Sequence, residues 1–259
     1  MKRIFQVGRI ALAGLAFLSF GLGGMLFALV LLPLIRWKHR RQPDLARAAA
    51  CQRWVQRSFV LLHAYMRVCG LLDFDPRRTA GGTPGSRFVI VANHPTLVDV
   101  SAIIAVFGRS ACVAKTPIFQ APVIGSIVRS CGYLDGGGGD PFAGASVVRQ
   151  ALERLAEQMP IVIFPEGTRS PEGSLHPFQR GAFEIACRAR VPVLPIFIRC
   201  EPAALGKGRA WYDIPPRTAV FTLTPLPVMH PDEFGGDATR MTAASEAVFR
   251  QQLNPSGDV

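Results

Sequence analysis

The 259-residue sequence predicts an α/β domain with a mostly parallel sheet flanked by helices, preceded by an N-terminal membrane helix and an amphipathic helix. Three observations carry that expectation. Ile10 to Ile35 contains no charged residue, residues 45–72 place polar and apolar side chains at helical spacing, and beyond residue 86 strand-length apolar runs alternate with helical stretches. The divisions that follow are 1–42, a membrane anchor with basic flanks; 43–75, an amphipathic interfacial helix; and 76–259, the α/β domain.

The first segment is argued from length. Twenty-six uncharged residues exceed the ~20 that cross a bilayer core as a helix. Lys2, Arg3 and Arg9 precede the run, and Arg36, Lys38, Arg40 and Arg41 follow it. A signal peptide would have a shorter apolar core and a small-residue cleavage site, whereas this run ends in PLIRWKHRR, so it is expected to be retained. Gly14, Gly21, Gly23 and Gly24 weaken a straight span, which leaves a crossing helix and a re-entrant or interfacial helix both open. The richer basic flank, extended by Arg47, Arg53 and Arg57, belongs on the cytoplasmic side by the positive-inside rule.

Charge supports the same division. The chain carries 29 Lys and Arg against 18 Asp and Glu, a net charge of +11, yet only 18% of residues are charged. Residues 1–60 hold ten of the basic residues against the single acid Asp44. A basic excess confined to the most apolar part of a chain with mean hydropathy +0.25 fits a membrane surface and excludes a soluble nucleic-acid binder. The segment 45–72, with arginines among Trp54, Phe59, Leu61 and Leu62, suits either headgroups or packing on the domain that follows.

In the third segment the expected strands are 87–92, 111–114, 161–164, 193–198 and 219–223. Helices are expected near 97–107, 117–130, 142–158, 178–190 and 240–253. Strands fed by helical crossovers form a parallel sheet whose sites lie beyond the carboxyl ends of the strands. Six scattered cysteines show neither zinc spacing nor a disulfide framework and read as free thiols.

Two of these strands run into chemically loaded sequence. The first leads into Asn93-His94-Pro95-Thr96-Leu97-Val98-Asp99, the other into Pro165-Glu166-Gly167-Thr168-Arg169-Ser170. In one parallel sheet the two segments would emerge on the same edge. Thr96 can cap a helix whose first turn contains Asp99, returning its carboxylate to His94. That pairing fixes the imidazole tautomer and makes His94 a general base for a hydroxyl nucleophile, although Thr96-x-x-Asp99 is equally a capping box. Gly167 permits a tight turn, its backbone N–H groups are oxyanion candidates, and Arg169 offers a planar fork for phosphate. A structural turn with Glu166 paired to Arg169 is the competing reading. Lys115, at the end of another strand, could add a point charge. A metal site on His94 and Asp99 lacks an evident third ligand, and the spacing of His176 supplies none.

Taken in order, Asn93-His94-x-x-x-x-Asp99, Phe164-Pro165-Glu166-Gly167-Thr168-Arg169-Ser170 and Val191-Pro192-Val193-Leu194-Pro195 resemble the glycerolipid acyltransferase superfamily, specifically its lysophosphatidic acid acyltransferases. The resemblance covers roughly residues 87–200 and includes the block 113–134. It implies that His94 is the general base and Asp99 its partner. It further implies that Glu166, Gly167, Thr168, Arg169 and Lys115 bind the phosphorylated acceptor and that Pro195 shapes the acyl-donor region. The implied reaction moves a fatty acyl group from acyl-CoA or acyl-carrier protein to the hydroxyl of 1-acyl-sn-glycerol-3-phosphate, with no metal or redox cofactor. Membrane lipid is the implied partner, and the implied location is a bacterial-type inner (cytoplasmic) membrane with the α/β domain facing the cytoplasm. One departure stands out. The second motif of the family usually carries an Arg, whereas here Gly132-Tyr133-Leu134 leads into Asp135 and a glycine run. That departure keeps two alternatives in view: acylation of another lysolipid or a specialised hydroxyl-bearing lipid, and a non-catalytic lipid-binding protein.

Overall fold

The computed structural model describes residues 2–78, 83, 85–137 and 141–253. Its N-terminal rod is α1 (Lys2–Leu26), a π-helical turn at Phe27–Leu31, and α2 (Leu32–Lys38). The turn sits directly before Pro33, which lacks an N–H and would crowd the carbonyl of residue 29 in a regular helix. The amphipathic segment forms α3 (Asp44–Val68).

The remaining elements are β1 (Leu72–Asp73), β2 (Val89–Ala92), α4 (Asp99–Phe107), β3 (Ala111–Ala114), α5 (Thr116–Gln120), α6 (Ile124–Ser130) and β4 (Leu134–Asp135). They continue with α7 (Pro141–Ala156), β5 (Ile161–Ile163), α8 (Gly181–Ala189), β6 (Val193–Glu201), β7 (Ala219–Pro225) and α9 (Ala238–Leu253). The helix expected over 117–130 is broken in two. Pro122 disfavours helical backbone at Ala121, which is extended at ψ 131°.

The strands form one sheet in the order β1-β7-β6-β2-β5-β3-β4. Every neighbouring pair is parallel except β6 with β7. Strand β2 is central and buried on both faces. Its Val89 and Val91 enter the core formed with α7, α8 and α9, and its Ile90 and Ala92 enter the core formed with α1, α3 and α4. Burying such side chains contributes roughly 1.5–3 kcal/mol each, which makes β2 a rigid base for whatever follows it.

The N-terminal rod lies along the domain. Arg9, counted above as a basic flank, is only 5% exposed; its guanidinium donates to the carbonyls of Gly70 at 2.7 Å and Arg217 at 3.2 Å. Gln6 donates to the Ile214 carbonyl at 2.6 Å, Tyr65 to the Leu12 carbonyl at 2.9 Å, and Arg36 to Ser130 Oγ at 2.8 Å. Phe5–Lys38 is long and apolar enough to cross a membrane, and its outer face exposes Leu18, Leu22, Leu26 and Leu29. Helix α3 packs on the domain through Ala50, Cys51, Gln52, Val55, His63 and Met66, while Trp54 and Leu61 remain exposed.

Candidate active site

Parallel pairing places the two loaded segments side by side. Val89, Ile90 and Val91 of β2 are in register with Ile161, Val162 and Ile163 of β5, so Asn93-His94 and Phe164-Pro165-Glu166 leave the same edge of adjacent strands. Asn93 is clamped to β6: its amide donates to the Ile198 carbonyl at 2.9 Å, and its carbonyl accepts the Ile198 N–H at 2.7 Å. The backbone of the following histidine is thereby fixed.

His94 Nδ1 lies 2.7 Å from Asp99 Oδ2. An ionised carboxylate only accepts, so Nδ1 carries the proton and Nε2 is left as a base. Asp99 also accepts the Thr96 N–H at 2.7 Å and the Thr96 hydroxyl at 2.5 Å. Helix α4 begins at Asp99 itself, and its cap position is Val98; Thr96 instead braces the turn, accepting the Val98 N–H at 3.2 Å. Asp99 is fully buried, and burial pushes its carboxyl above the ordinary range while His94 and Thr96 pull it back. The His94 ring packs on Phe164 with centroids 4.4 Å apart, and the His94 side chain keeps 19% of its surface exposed.

Glu166 is 4% exposed and does not pair with Arg169. Its carboxylate accepts the His94 N–H at 3.2 Å, the Ser170 hydroxyl at 2.5 Å and the His176 N–H at 2.8 Å. It therefore ties the two motifs together from within. Gly167 adopts φ +65°, and its N–H is taken by the Phe164 carbonyl at 3.0 Å, so that amide is committed to the turn. Thr168 and Arg169 follow at the surface of the turn. The Arg169 guanidinium donates to the Gly206 carbonyl at 3.3 Å. Lys115 is exposed at the end of β3, beside β5. Pro195 is buried in β6 in register with Val91, its carbonyl accepting the Leu226 N–H at 2.9 Å; it lies inside the sheet rather than at its edge. Sequence reasoning assigned no role to Asn93, Ser170 or Phe164, although the motifs contained them. Lys207, which donates to Thr168 Oγ1 at 3.4 Å, lies in a loop that carried no signal.

A buried carboxylate, an oriented imidazole and cationic side chains thus lie at one edge of an α/β sheet. Residues 75–199 match the family model described as Acyltransferase, and this segment, which contains all of these groups except Lys207, belongs to that family. The relatives are more specific. The chain is 35% identical over 108 residues to the chloroplastic 1-acyl-sn-glycerol-3-phosphate acyltransferase BAT2 of Brassica napus, covering 42% of this chain and 31% of that protein. It is 32% identical over 174 residues to the 1-acyl-sn-glycerol-3-phosphate acyltransferase alpha of Bos taurus, covering 65% and 60% respectively. The chain thus spans less than two thirds of the length of these relatives. The crystal structure of the 1-acyl-sn-glycerophosphate acyltransferase PlsC from Thermotoga maritima shares the fold, with TM-score 0.67 and 19% identity over 98% of this chain and 97% of that one.

Proposed function

We propose that this chain is an O-acyltransferase that transfers a fatty acyl group from an acyl thioester to the hydroxyl of 1-acyl-sn-glycerol-3-phosphate, giving phosphatidic acid in phospholipid synthesis. The observation that carries the reading is the 2.7 Å His94–Asp99 contact, built beside the Arg169 turn. His94 Nε2 takes the acceptor hydroxyl proton as the oxygen attacks the thioester carbonyl carbon. Asp99 stabilises the imidazolium that forms. The tetrahedral intermediate collapses, the C–S bond breaks, and the thiolate recovers the proton from His94, so ester and free thiol result without a covalent enzyme intermediate. The Gly167 amide being committed, the Thr168 and Arg169 amides are the candidate oxyanion donors: neither has a hydrogen-bond partner among the described residues. The step as written uses no metal or redox cofactor, and either acyl-CoA or acyl-carrier protein supplies the thioester.

The rod supports a membrane-surface location. Polar ties from Gln6 to Arg36 hold it against one side of the domain, while its apolar outer face stays open. That arrangement favours an interfacial helix lying along the membrane surface over a separate crossing helix. Purified protein should acylate lysophosphatidic acid with a thioester donor, and His94→Ala should lower the rate by ~10²–10⁴-fold with the fold retained. Near wild-type turnover by that variant would overturn the assignment. A second reading, another lysolipid as acceptor, is favoured by the missing second-motif Arg, Gly132-Tyr133-Leu134 leading instead into a glycine run by way of Asp135. The Asp135 carboxylate accepts the Thr116 hydroxyl at 2.7 Å and the Gly137 N–H at 3.0 Å. A panel of lysolipids separates the two.

A further inference from the structure

The loop from Pro202 to Asp213 closes over the Arg169 turn by a crossed pair of contacts. Arg169 donates to the carbonyl of Gly206, the residue before Lys207, and Lys207 donates to the hydroxyl of Thr168, the residue before Arg169. Two cationic side chains therefore reach across the same junction in opposite directions, Arg169 to the loop and Lys207 to the turn. Neither forms an ion pair among the described residues. The nearby acids are already committed: Asp99 to His94 and Thr96, Glu166 to His94, Ser170 and His176, and Glu172 to Arg209. Arg209 of the same loop is held by Glu172 at 2.8 Å and Asp213 at 3.2 Å, so its charge is balanced while that of Lys207 is not.

Two cations at one junction with no carboxylate paired to either attract an anion. A phosphomonoester dianion offers three oxygens, enough for the Arg169 fork and a lysine ammonium together. We propose that Lys207 is a specificity-determining residue of the acceptor site, a cation that joins Arg169 on the acceptor phosphate, in a chain that lacks the second-motif Arg. The inference rests on the acceptor reading above. The same charge pair could serve a phosphate of coenzyme A, so the test has to tell the two sources apart.

Lys207→Ala, Lys207→Gln and Lys207→Arg are compared with wild type by varying lysophosphatidic acid and the acyl donor separately, with both acyl-CoA and acyl-carrier protein. Removing the charge should raise the acceptor KM about 10- to 100-fold, leave kcat within about twofold and leave both donor KM values unchanged. Lys207→Arg should recover most of the loss. In parallel, His94→Ala protein with and without Lys207→Ala is titrated with lysophosphatidic acid and with monoacylglycerol, a readout that needs no turnover. The lysine change should weaken only the phosphorylated ligand. An unchanged acceptor KM and unchanged binding overturn the proposal while leaving the acyltransferase reading intact, as does a loss confined to acyl-CoA. A wild type that acylates other lysolipids but neither binds nor acylates lysophosphatidic acid overturns the acceptor reading itself, and the Lys207 assignment with it.

Discussion

His94 and Ser170 hold each other from both sides: the His94 N–H donates to Ser170 Oγ at 3.0 Å, and the Ser170 N–H donates to the His94 carbonyl at 2.8 Å. The end of one motif is thereby bonded to the start of the other. Because Ser170 also donates to the buried Glu166, the serine relays the position of the second turn to the backbone of the base.

Ser170→Ala deletes the hydroxyl from that relay and leaves the Ser170 N–H in place. Stability should fall by about 1–3 kcal/mol, since a buried Glu166 oxygen loses a donor. The rate constant kcat should fall more than the acceptor KM rises, because His94 is displaced while the cations of the turn remain. Denaturant unfolding alongside two-substrate kinetics checks both; a loss confined to acceptor KM would place Ser170 in the binding of that substrate instead.

Asp99→Asn is expected to separate orientation from charge. With its amide oxygen at the Oδ2 position, Asn would still accept the His94 Nδ1–H and Thr96 N–H, and its NH2 would face the Thr96 hydroxyl, which can accept. The fold should therefore persist, yet the imidazolium loses its counter-charge. We expect kcat/KM to fall roughly 10²–10⁴-fold with cooperative unfolding retained. Activity within a few-fold of wild type would show that the carboxylate charge is not needed.

His63 gives a pH prediction. It is fully buried, its Nε2 lies 3.0 Å from Ser101 Oγ, and burial lowers its pKa to about 4 from 6.5. Between those values the unfolded chain binds a proton that the native state does not, so stability rises with pH across that window and falls as pH drops from 6.5 towards 4. The full effect is on the order of 3 kcal/mol. His63→Gln, which can still donate to Ser101, should flatten that slope when unfolding free energy is compared at pH 7.5 and 4.5; an unaltered slope would assign it to other groups.

The outer face of the rod should hold the protein on lipid. Leu22 and Leu29 are 53% and 71% exposed, so replacing both with Asp removes apolar contact with a bilayer without opening the core. Affinity for liposomes should drop at least ~100-fold, while thermal unfolding in detergent is little changed. Undiminished co-sedimentation with vesicles would move the anchoring to another surface, Trp54 and Leu61 of α3 being the next candidates.

Much of the fold was legible in the sequence because its signals are local. Five apolar runs of strand length became β2, β3, β5, β6 and β7, and the helical pattern of 142–158 became α7. The two-residue strands β1 and β4 were missed, since periodicity needs more than two positions to appear. The His94–Asp99 pairing was also foreseeable, because a five-residue separation across one turn constrains both side chains.

By itself, the sequence determined the chemical repertoire of this protein: an uncharged N-terminal run, alternating strands and helices, and a histidine, a carboxylate and an arginine at strand ends. Tertiary structure alone decided how those groups are used. It buried Glu166 as a brace, tied Arg9 to the domain, and brought Lys207 to Thr168 from 39 residues away. The physical reason is one of range. Periodicity, turns and caps are fixed by neighbours along the chain, whereas the partner of a charge or an unpaired N–H is fixed by which strands pair and which loops the packed core brings together.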